Sequence, residues 1–421
     1  MFYKEIIGES ERKIQKEMRE FVKNEVSHEL VRKMDRDEIE YPKEVIRKAG
    51  EKNLLGLRFD KKWGGRGLSW KDEVIAEEEI GLLGTSLGCA MVMPSIVGEA
   101  LDKFGTEEQK EKYLKPVLKG ELISAEALTE PRGGSDFFGA TTYAVLDGDH
   151  FVVNGQKRFI VGATEADFFL VYCKTNQDPN ASKYERISAL IIDRSDGVFT
   201  EYKYGLMGTR GGGTGRLVLK DVKVPKQNLI GPLHGGALVF HQMMIPERLT
   251  SAAACLGMAR AALDVAVRYS DRRFAFGKPI RKYQAVSFMV SDAITKLDAA
   301  RSIVYMAAKA VDNNAPNSRR LVSEAKKFAT DAAWDVANKA MQIMGGIGYT
   351  DIYPIERFIR DIRLTQIWTG TNEIMSLLIQ HEYYNEVLNS EKDDRDVEKD
   401  AQHYMDDVEK CFNDEDMWKN M

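Results

Sequence analysis

The sequence predicts an α+β chain in three zones: a helical first third, an antiparallel β middle and a C-terminal helical bundle. Two changes of hydrophobic period predict it. Apolar residues recur at helical spacing to about residue 125, alternate with period two from Phe137, and return to helical spacing after Gly235. A third observation marks the first seam. Ala127 to Asp136, ALTEPRGGSD, sets a Pro-Arg-Gly-Gly turn between small apolar residues and a Ser-Asp pair. Backbone N–H groups in such a turn point outward with no Cβ in the way, which suits a phosphate or the polar edge of a ring; taken alone it is equally a linker.

In the first zone Ile7, Ile14, Met18, Phe21 and Val22 fall at helical spacing, and Pro42 stands where a first-turn proline is tolerated. Thr106 with Gln109 has the form of a capping box. From Trp70 to Leu101 the chain is only weakly polar, and Met91 and Met93 are read there as core filler ahead of a pocket wall. In the middle zone Tyr143 to Leu146 runs into Asp147-Gly148 and Phe151 to Val153 into Asn154-Gly155, and both dipeptides favour hairpin turns. Further strand-like runs cover Phe168 to Cys173, Ile187 to Ile192 and Leu217 to Val224. The cluster Gly211 to Gly215 lacks the Lys-Ser/Thr of a phosphate loop and is read as a turn between strands.

After Gly235 an alanine- and glycine-rich stretch, Ala252 to Ala262, allows helices to approach closely, and Val286, Met289, Ile294 and Leu297 form a stripe on the next helix. Ala329 to Met344 continues the bundle until Gly345-Gly346 stops it. Pro246 is expected to kink or break its helix, freeing carbonyls beside Glu247 and Arg248. The tail is different in kind: residues 389–421 hold 12 acidic and 5 basic residues, against a whole-chain charge of −5, so it reads as a solvated segment.

At 421 residues, 43% hydrophobic and 30% charged, the chain is a globular one too long for a single core. Its net charge gives no case for nucleic acid. The four cysteines, Cys89, Cys173, Cys255 and Cys411, show neither metal-ligand spacing nor a disulfide framework. No apolar run approaches the ~18 residues of a membrane span and no signal-peptide core follows Lys4-Glu5, so a cytoplasmic, non-membrane protein is expected.

Five motifs occur in order: ALTEPRGGSD, NGQKRFIVG from Asn154, RRFAFGKPI from Arg272, QIMGGIGY from Gln342 and IWTGTNEI from Ile367. Together they make residues 1–388 resemble the acyl-CoA dehydrogenase family. The resemblance implies a helical domain over 1–125, a β domain over 126–234 and a four-helix bundle over 235–388, with the acidic tail outside it, assembled as a homotetramer. It also implies FAD as cofactor, an acyl-CoA thioester as substrate and an electron-transferring flavoprotein as acceptor.

Carried over by position, the resemblance assigns Ala127, Leu128, Thr129, Gly134 and Ser135 to the flavin and thioester, with Phe159, Ile160 and Val161 along the flavin. Arg273, Phe276, Gln284, Gln342, Gly345 and Gly346 would hold the FAD adenosine and pyrophosphate across a subunit boundary, and Thr371 and Glu373 would touch the cofactor from the last helix. Ser135, Arg248 and Gly370 are assigned to substrate. Two departures stand out. Phe159-Ile160-Val161 replaces a Trp-Ile-Thr triplet, removing a hydroxyl expected near flavin N5. Thr369 stands where the medium- and short-chain branches carry their catalytic glutamate.

In the isovaleryl- and long-chain-type branches the base instead precedes an arginine, as in Pro246-Glu247-Arg248. Glu247 is therefore the expected base. The Thr369 backbone N–H, with a flavin ribityl hydroxyl, is expected to stabilise the developing enolate oxygen. Glu126, where the family has an aromatic or apolar residue, is expected to face solvent or pair with Arg132, a second acid or base being the alternative. Arg132 reads equally as a surface arginine and as a ligand for a CoA phosphate or substrate carboxylate. The expected reaction is α,β-dehydrogenation of a branched, alicyclic or aryl-substituted acyl-CoA. An acyl-CoA oxidase, an enoyl-CoA reductase and a non-catalytic scaffold are the alternatives.

Overall fold

The computed structural model describes residues 7–389, 395–406 and 409–410. The first zone is helical: α1 (Glu9–Glu25), α2 (His28–Asp35), α3 (Lys43–Glu51), α4 (Trp70–Gly81) and α5 (Thr85–Phe104), then α6 (Glu107–Gln109) and α7 (Lys115–Leu118) on either side of a π turn. The expected capping box at Thr106 and Gln109 forms. Pro42 is the N-cap of α3, one place earlier than a first-turn proline.

The middle zone is a twisted sheet of β1 (Ser124–Ala127), β2 (Tyr143–Asp147), β3 (His150–Ile160), β4 (Phe168–Lys174), β5 (Ile187–Asp193), β6 (Phe199–Lys203), β7 (Gly215–Pro225) and β8 (Leu229–Ile230). Its order is β6-β7-β3-β2-β4-β5-β8, with β1 against β4. The antiparallel expectation needs correcting, because β1 and β2 both pair with β4 in parallel and the sheet is mixed. Parallel pairing needs a long crossover, and such a crossover leaves no turn dipeptide in the sequence.

Asp147-Gly148 does mark the β2–β3 hairpin, closed by the Asp147–His150 pair. Asn154-Gly155 is not a turn. It lies inside β3 at a register shift against β7, a bulge where Gly155 takes φ +151° and a Cβ would sit 2.4 Å from Thr142 Oγ1. Residues 211–215 do join β6 to β7.

The last zone holds α8 (Gly236–Arg272), a hairpin of β9 (Phe274–Ala275) and β10 (Lys278–Pro279), then α9 (Gln284–Asp312), α10 (Ser318–Met344), α11 (Ile355–Thr365) and α12 (Asn372–Asn389). Pro246 neither breaks α8 nor ends it. α8 also contains an 18-residue window of mean hydropathy 1.3, but 67% of that window is buried, so it is a core helix of this fold. The chain divides into two compact units after Ile379. The second unit carries the end of α12 and a short 3-10 turn at Val397–Asp400; Cys411 and much of the acidic tail lie outside the described residues.

Three apolar cores position the site. One fills the space between α1–α5 and one sheet face, where Ala125, Ala127, Phe169 and Val171 point. A second lies on the other face with Phe168, Leu170 and Tyr172, and receives Val239, Met243 and Met244 from the start of α8. The third is the bundle of α8–α11 with Trp70 and Val74 of α4. α8 therefore passes from sheet to bundle, and Glu247 sits just past that transition.

Candidate active site

A cavity of about 560 Å³ opens where α5, β1, β3, α8 and the turn after α11 meet. One wall is apolar: Val92, Met93 and Ile96 of α5 face Phe240 and Met244 of α8. Met91 is core as expected, whereas Met93, one turn face away, lines the cavity.

The seam turn is anchored by a buried ion pair. Lys157 Nζ lies 2.9 Å from Glu130 Oε1 and 3.1 Å from the Leu128 carbonyl oxygen, while the Glu130 carboxylate also accepts from the Thr141 and Thr142 N–H groups at 2.6 and 3.0 Å. Burial alone pushes the Glu130 carboxyl up, but the Lys157 charge and these donors outweigh it and hold it down at about 2. The Arg158 N–H then donates to the Thr129 carbonyl at 2.8 Å, docking β3 on the turn. Leu128, Thr129, Gly134 and Ser135 line the cavity as a result. Ala127 does not, because strand alternation turns it into the opposite core.

Phe159, Ile160 and Val161 line the adjoining wall, Phe159 at φ +60° and half exposed. Across from them is the turn Trp368–Thr371, with Thr369 at φ +53° and Gly370 at φ +85°. The positive φ favours glycine at Gly370; a Cβ there would also meet the mobile end of the Met375 side chain at 2.7 Å. Three groups fix this turn. Lys326 Nζ donates to the Gly370 carbonyl at 2.8 Å and to Asn372 Oδ1 at 2.9 Å, Arg248 Nε reaches the Thr369 carbonyl at 3.5 Å, and Thr371 Oγ1 accepts from the Ile374 N–H. Burial pulls the Lys326 ammonium down to about 8, and burial with the nearby Arg319 charge pulls Arg248 to about 10. The Thr369 N–H itself takes no partner among the described residues.

Glu247 faces into the cavity from α8, and Glu126 faces it from β1. Glu126 is partly buried on the cavity wall and does not pair with Arg132, which corrects the expectation for it: Arg132 is engaged by Asp136 at the surface. Strand alternation explains the direction, since Glu126 shares a face with its register partner Leu170 and with Tyr172 rather than with Ala125 and Ala127. Burial raises both carboxyls. Glu126 is pushed furthest, by burial and then by the Glu247 charge beside it, while a hydrogen bond from Glu126 and the Arg248 charge draw Glu247 part of the way back.

The remaining assigned residues lie elsewhere. Arg273, Phe276, Gln284, Gln342, Gly345, Gly346 and Glu373 are all exposed and outside this cavity, Phe276 being 96% exposed at the tip of the β9–β10 hairpin. Lys326, Lys157 and Glu130 went unread in the sequence, although each fixes a cavity wall. Lys326 could have been found as the lone charge on the face of α10 that carries Val322, Ala325 and Ala329.

Models of the acyl-CoA dehydrogenase N-terminal, middle and C-terminal domains match residues 8–121, 125–222 and 234–383. The chain belongs to the acyl-CoA dehydrogenase family. It is 37% identical to the 3-(aryl)acrylate reductase of Clostridium sporogenes over 84% of this chain and 97% of that one. It is likewise 37% identical to the caffeyl-CoA reductase-Etf complex subunit CarC of Acetobacterium woodii, over 88% and 97%. Among solved structures it resembles the butyryl-CoA dehydrogenase of Megasphaera elsdenii with a TM-score of 0.85 at 32% identity, covering 90% of this chain and 98% of that one.

This acyl-CoA dehydrogenase is thus a flavin-dependent oxidoreductase, and its cofactor is FAD. The cavity walls fit such a group. Arg158 Nε, Thr209 Oγ1, Thr214 Oγ1, Trp368 Nε1 and Thr369 Oγ1 are buried without protein partners, and all five residues line the cavity. Buried polar atoms are rarely left unmet, and a flat ring with nitrogens and carbonyls along its edges supplies partners for them.

Proposed function

We propose that this enzyme interconverts a saturated acyl-CoA and its 2,3-enoyl-CoA with Glu247 as the base at Cα. The observation that carries the proposal is the position of Glu247 on the cavity wall, beside the Thr369–Gly370 turn whose own residue 369 has no carboxylate. Glu247 takes the Cα proton. The unpartnered Thr369 N–H receives the thioester oxygen as charge develops on it, a task that needs a main-chain donor and no particular side chain. Arg248, held by Ser323 Oγ at 3.2 Å, fixes the far side of the turn and faces the substrate. Bound FAD supplies the acceptor for the hydride that leaves Cβ. Leu128, Thr129, Gly134, Ser135, Phe159, Ile160, Val161, Thr371 and Glu373 would hold its flavin half. Arg273, Phe276, Gln284, Gln342, Gly345 and Gly346 would hold its pyrophosphate and adenosine across a subunit boundary in a homotetramer.

The apolar wall of Val92, Met93, Ile96, Phe240 and Met244 suits a branched, alicyclic or aryl-substituted acyl group. Relatives named as an aryl-acrylate reductase and a caffeyl-CoA reductase favour the aryl class and a second reading, in which the enzyme works as an enoyl-CoA reductase. The Etf complex in the second of those names supports an electron-transferring flavoprotein as redox partner. Glu247→Gln tests the base. It should leave FAD and acyl-CoA binding intact while substrate reduction of the flavin falls by about 10²- to 10⁴-fold; reduction at the wild-type rate removes Glu247 from the role.

A further inference from the structure

We infer that Glu126 and Glu247 form a carboxyl pair holding one proton in the resting enzyme, with Glu126 the neutral member that positions Glu247 and keeps it ionised. The inference rests on Glu247 being the base. Both side chains line the same cavity, from β1 and from α8, and their carboxyls are in hydrogen-bonding reach of each other. Two carboxylates this close, both pushed up by burial, do not both ionise readily. A carboxylic acid, by contrast, is a donor, and Glu247 then accepts from it. The one cation acting on Glu126 among the described residues, Lys157, only partly offsets its burial. Lys157 of β3 is consumed by Glu130 and the Leu128 carbonyl. Tyr172 of β4 presents a neutral hydroxyl to Glu126, a donor that favours the ionised form but brings no charge and falls short of the burial that pushes Glu126 up. Cys89 of α5 is a buried neutral thiol, and Arg248 lies beside Glu247 on α8.

The proton count follows. The resting pair carries one proton and a charge of −1. When Glu247 takes the Cα proton, the C–H electron pair stays with the substrate, and the pair becomes two neutral acids. In the reductive direction the same pair starts with two protons and delivers one to Cα. Glu126 touches neither reacting carbon in this account; it acts through Glu247.

The sign of its effect on pH dependence is fixed. A hydrogen bond donated to the Glu247 carboxylate favours the ionised form, so removing the donor raises the pH at which Glu247 ionises. Glu126→Leu should move the acid limb of flavin reduction upward by about one unit, an ~10-fold loss at a pH on that limb. Glu126→Gln keeps a neutral N–H donor and should keep the limb within a few-fold of wild type. 3-Phenylpropionyl-CoA and butyryl-CoA serve as probes in the FAD-loaded enzyme.

A measurement without substrate makes the test independent of the acyl group. Infrared spectra of the holoenzyme at neutral pH, wild type minus Glu126→Gln, should contain a protonated-carboxyl C=O band that shifts on ¹³C-glutamate labelling. The subtraction matters because Glu77, also buried and pushed up, contributes to both spectra. In Glu247→Gln the Glu126 band should titrate away at lower pH, the neighbouring charge having gone. Absence of a difference band at neutral pH overturns the shared proton. Its presence, together with undiminished flavin reduction in Glu247→Gln, leaves the pair standing and removes the base assignment instead.

Discussion

The residues assigned to the cofactor fall into two regions that differ in how complete they are within one chain. Around the cavity, every wall is fixed from behind: the seam turn by Lys157 and Glu130, the Thr369 turn by Lys326 and Arg248, and the α5 N-terminus by Asp361, which accepts from the Thr85 and Thr209 N–H groups at 3.0 and 2.8 Å. The outer set, from Arg273 to Gly346, is exposed and packed by nothing comparable. The hairpin is held by its own strand pairing and by the Tyr283 hydroxyl, which donates to the Ala275 and Phe276 carbonyls. The contrast is one of support: the cavity walls are braced within one chain, whereas the outer set stands exposed on it. On the proposed function the first would be the reacting end and the second an end that a partner subunit completes.

The largest expected effect breaks the enclosed region. Lys157→Met leaves the Glu130 carboxylate buried without its cation, which should cost about 3–5 kcal/mol of stability by denaturant titration. The same pair sets an acid limit. Glu130, held at about 2 in the fold, contributes stability that is complete above its ordinary ~4.3 and lost as pH falls toward 2; in the variant the folded carboxyl rises toward or past its ordinary value, so that acid loss should shrink or disappear.

Next comes Arg273→Ala in the outer region. It should leave thermal unfolding of the apoprotein unchanged and weaken FAD retention by roughly 10- to 100-fold, the worth of one charge-assisted hydrogen bond. Full flavin occupancy after gel filtration at low FAD would erase the contrast between the regions. Gly346→Ala sharpens it further, because a Cβ there meets no atom of this chain. Apoprotein stability should hold or rise by under about 1 kcal/mol, while FAD retention falls. The smallest effect belongs to the tail: truncation after Leu388 should change neither flavin content nor melting temperature, checked by absorbance and calorimetry.

The sequence carried the three zones because each has its own hydrophobic period, and it carried the cavity turns because their motifs are contiguous. It did not carry β1, whose four residues SAEA show alternation too briefly to separate from a helix end. Without β1, Glu126 could be singled out but its direction could not be read. A glutamate between two alanines points toward whichever face the alanines leave, and only pairing with β4 decides that face. The roles of Lys326 and Lys157 were hidden for a different reason: their partners are 44 and 27 residues away, so even the apolar face that Lys326 shares in α10 marks its burial and not what it bonds. The bulge at Asn154-Gly155 reads as a turn because glycine at positive φ serves both; the tertiary neighbour Thr142 selects between them.

The apolar character of α8 has a consequence for how the protein is made. Two of the helices that cover it, α9 and α10, follow it in the chain and end at Met344. Translation at ~5–20 residues per second means that about 70 residues, on the order of 4–15 s of synthesis, separate the emergence of α8 from the arrival of its last long cover. During that interval its most hydrophobic stretch, of mean hydropathy 1.3, lacks the two helices that later cover it. The buried charges of Glu247 and Arg248 beside that stretch then act before any chemistry does, as marks that disfavour transfer into a bilayer while the fold is still being assembled.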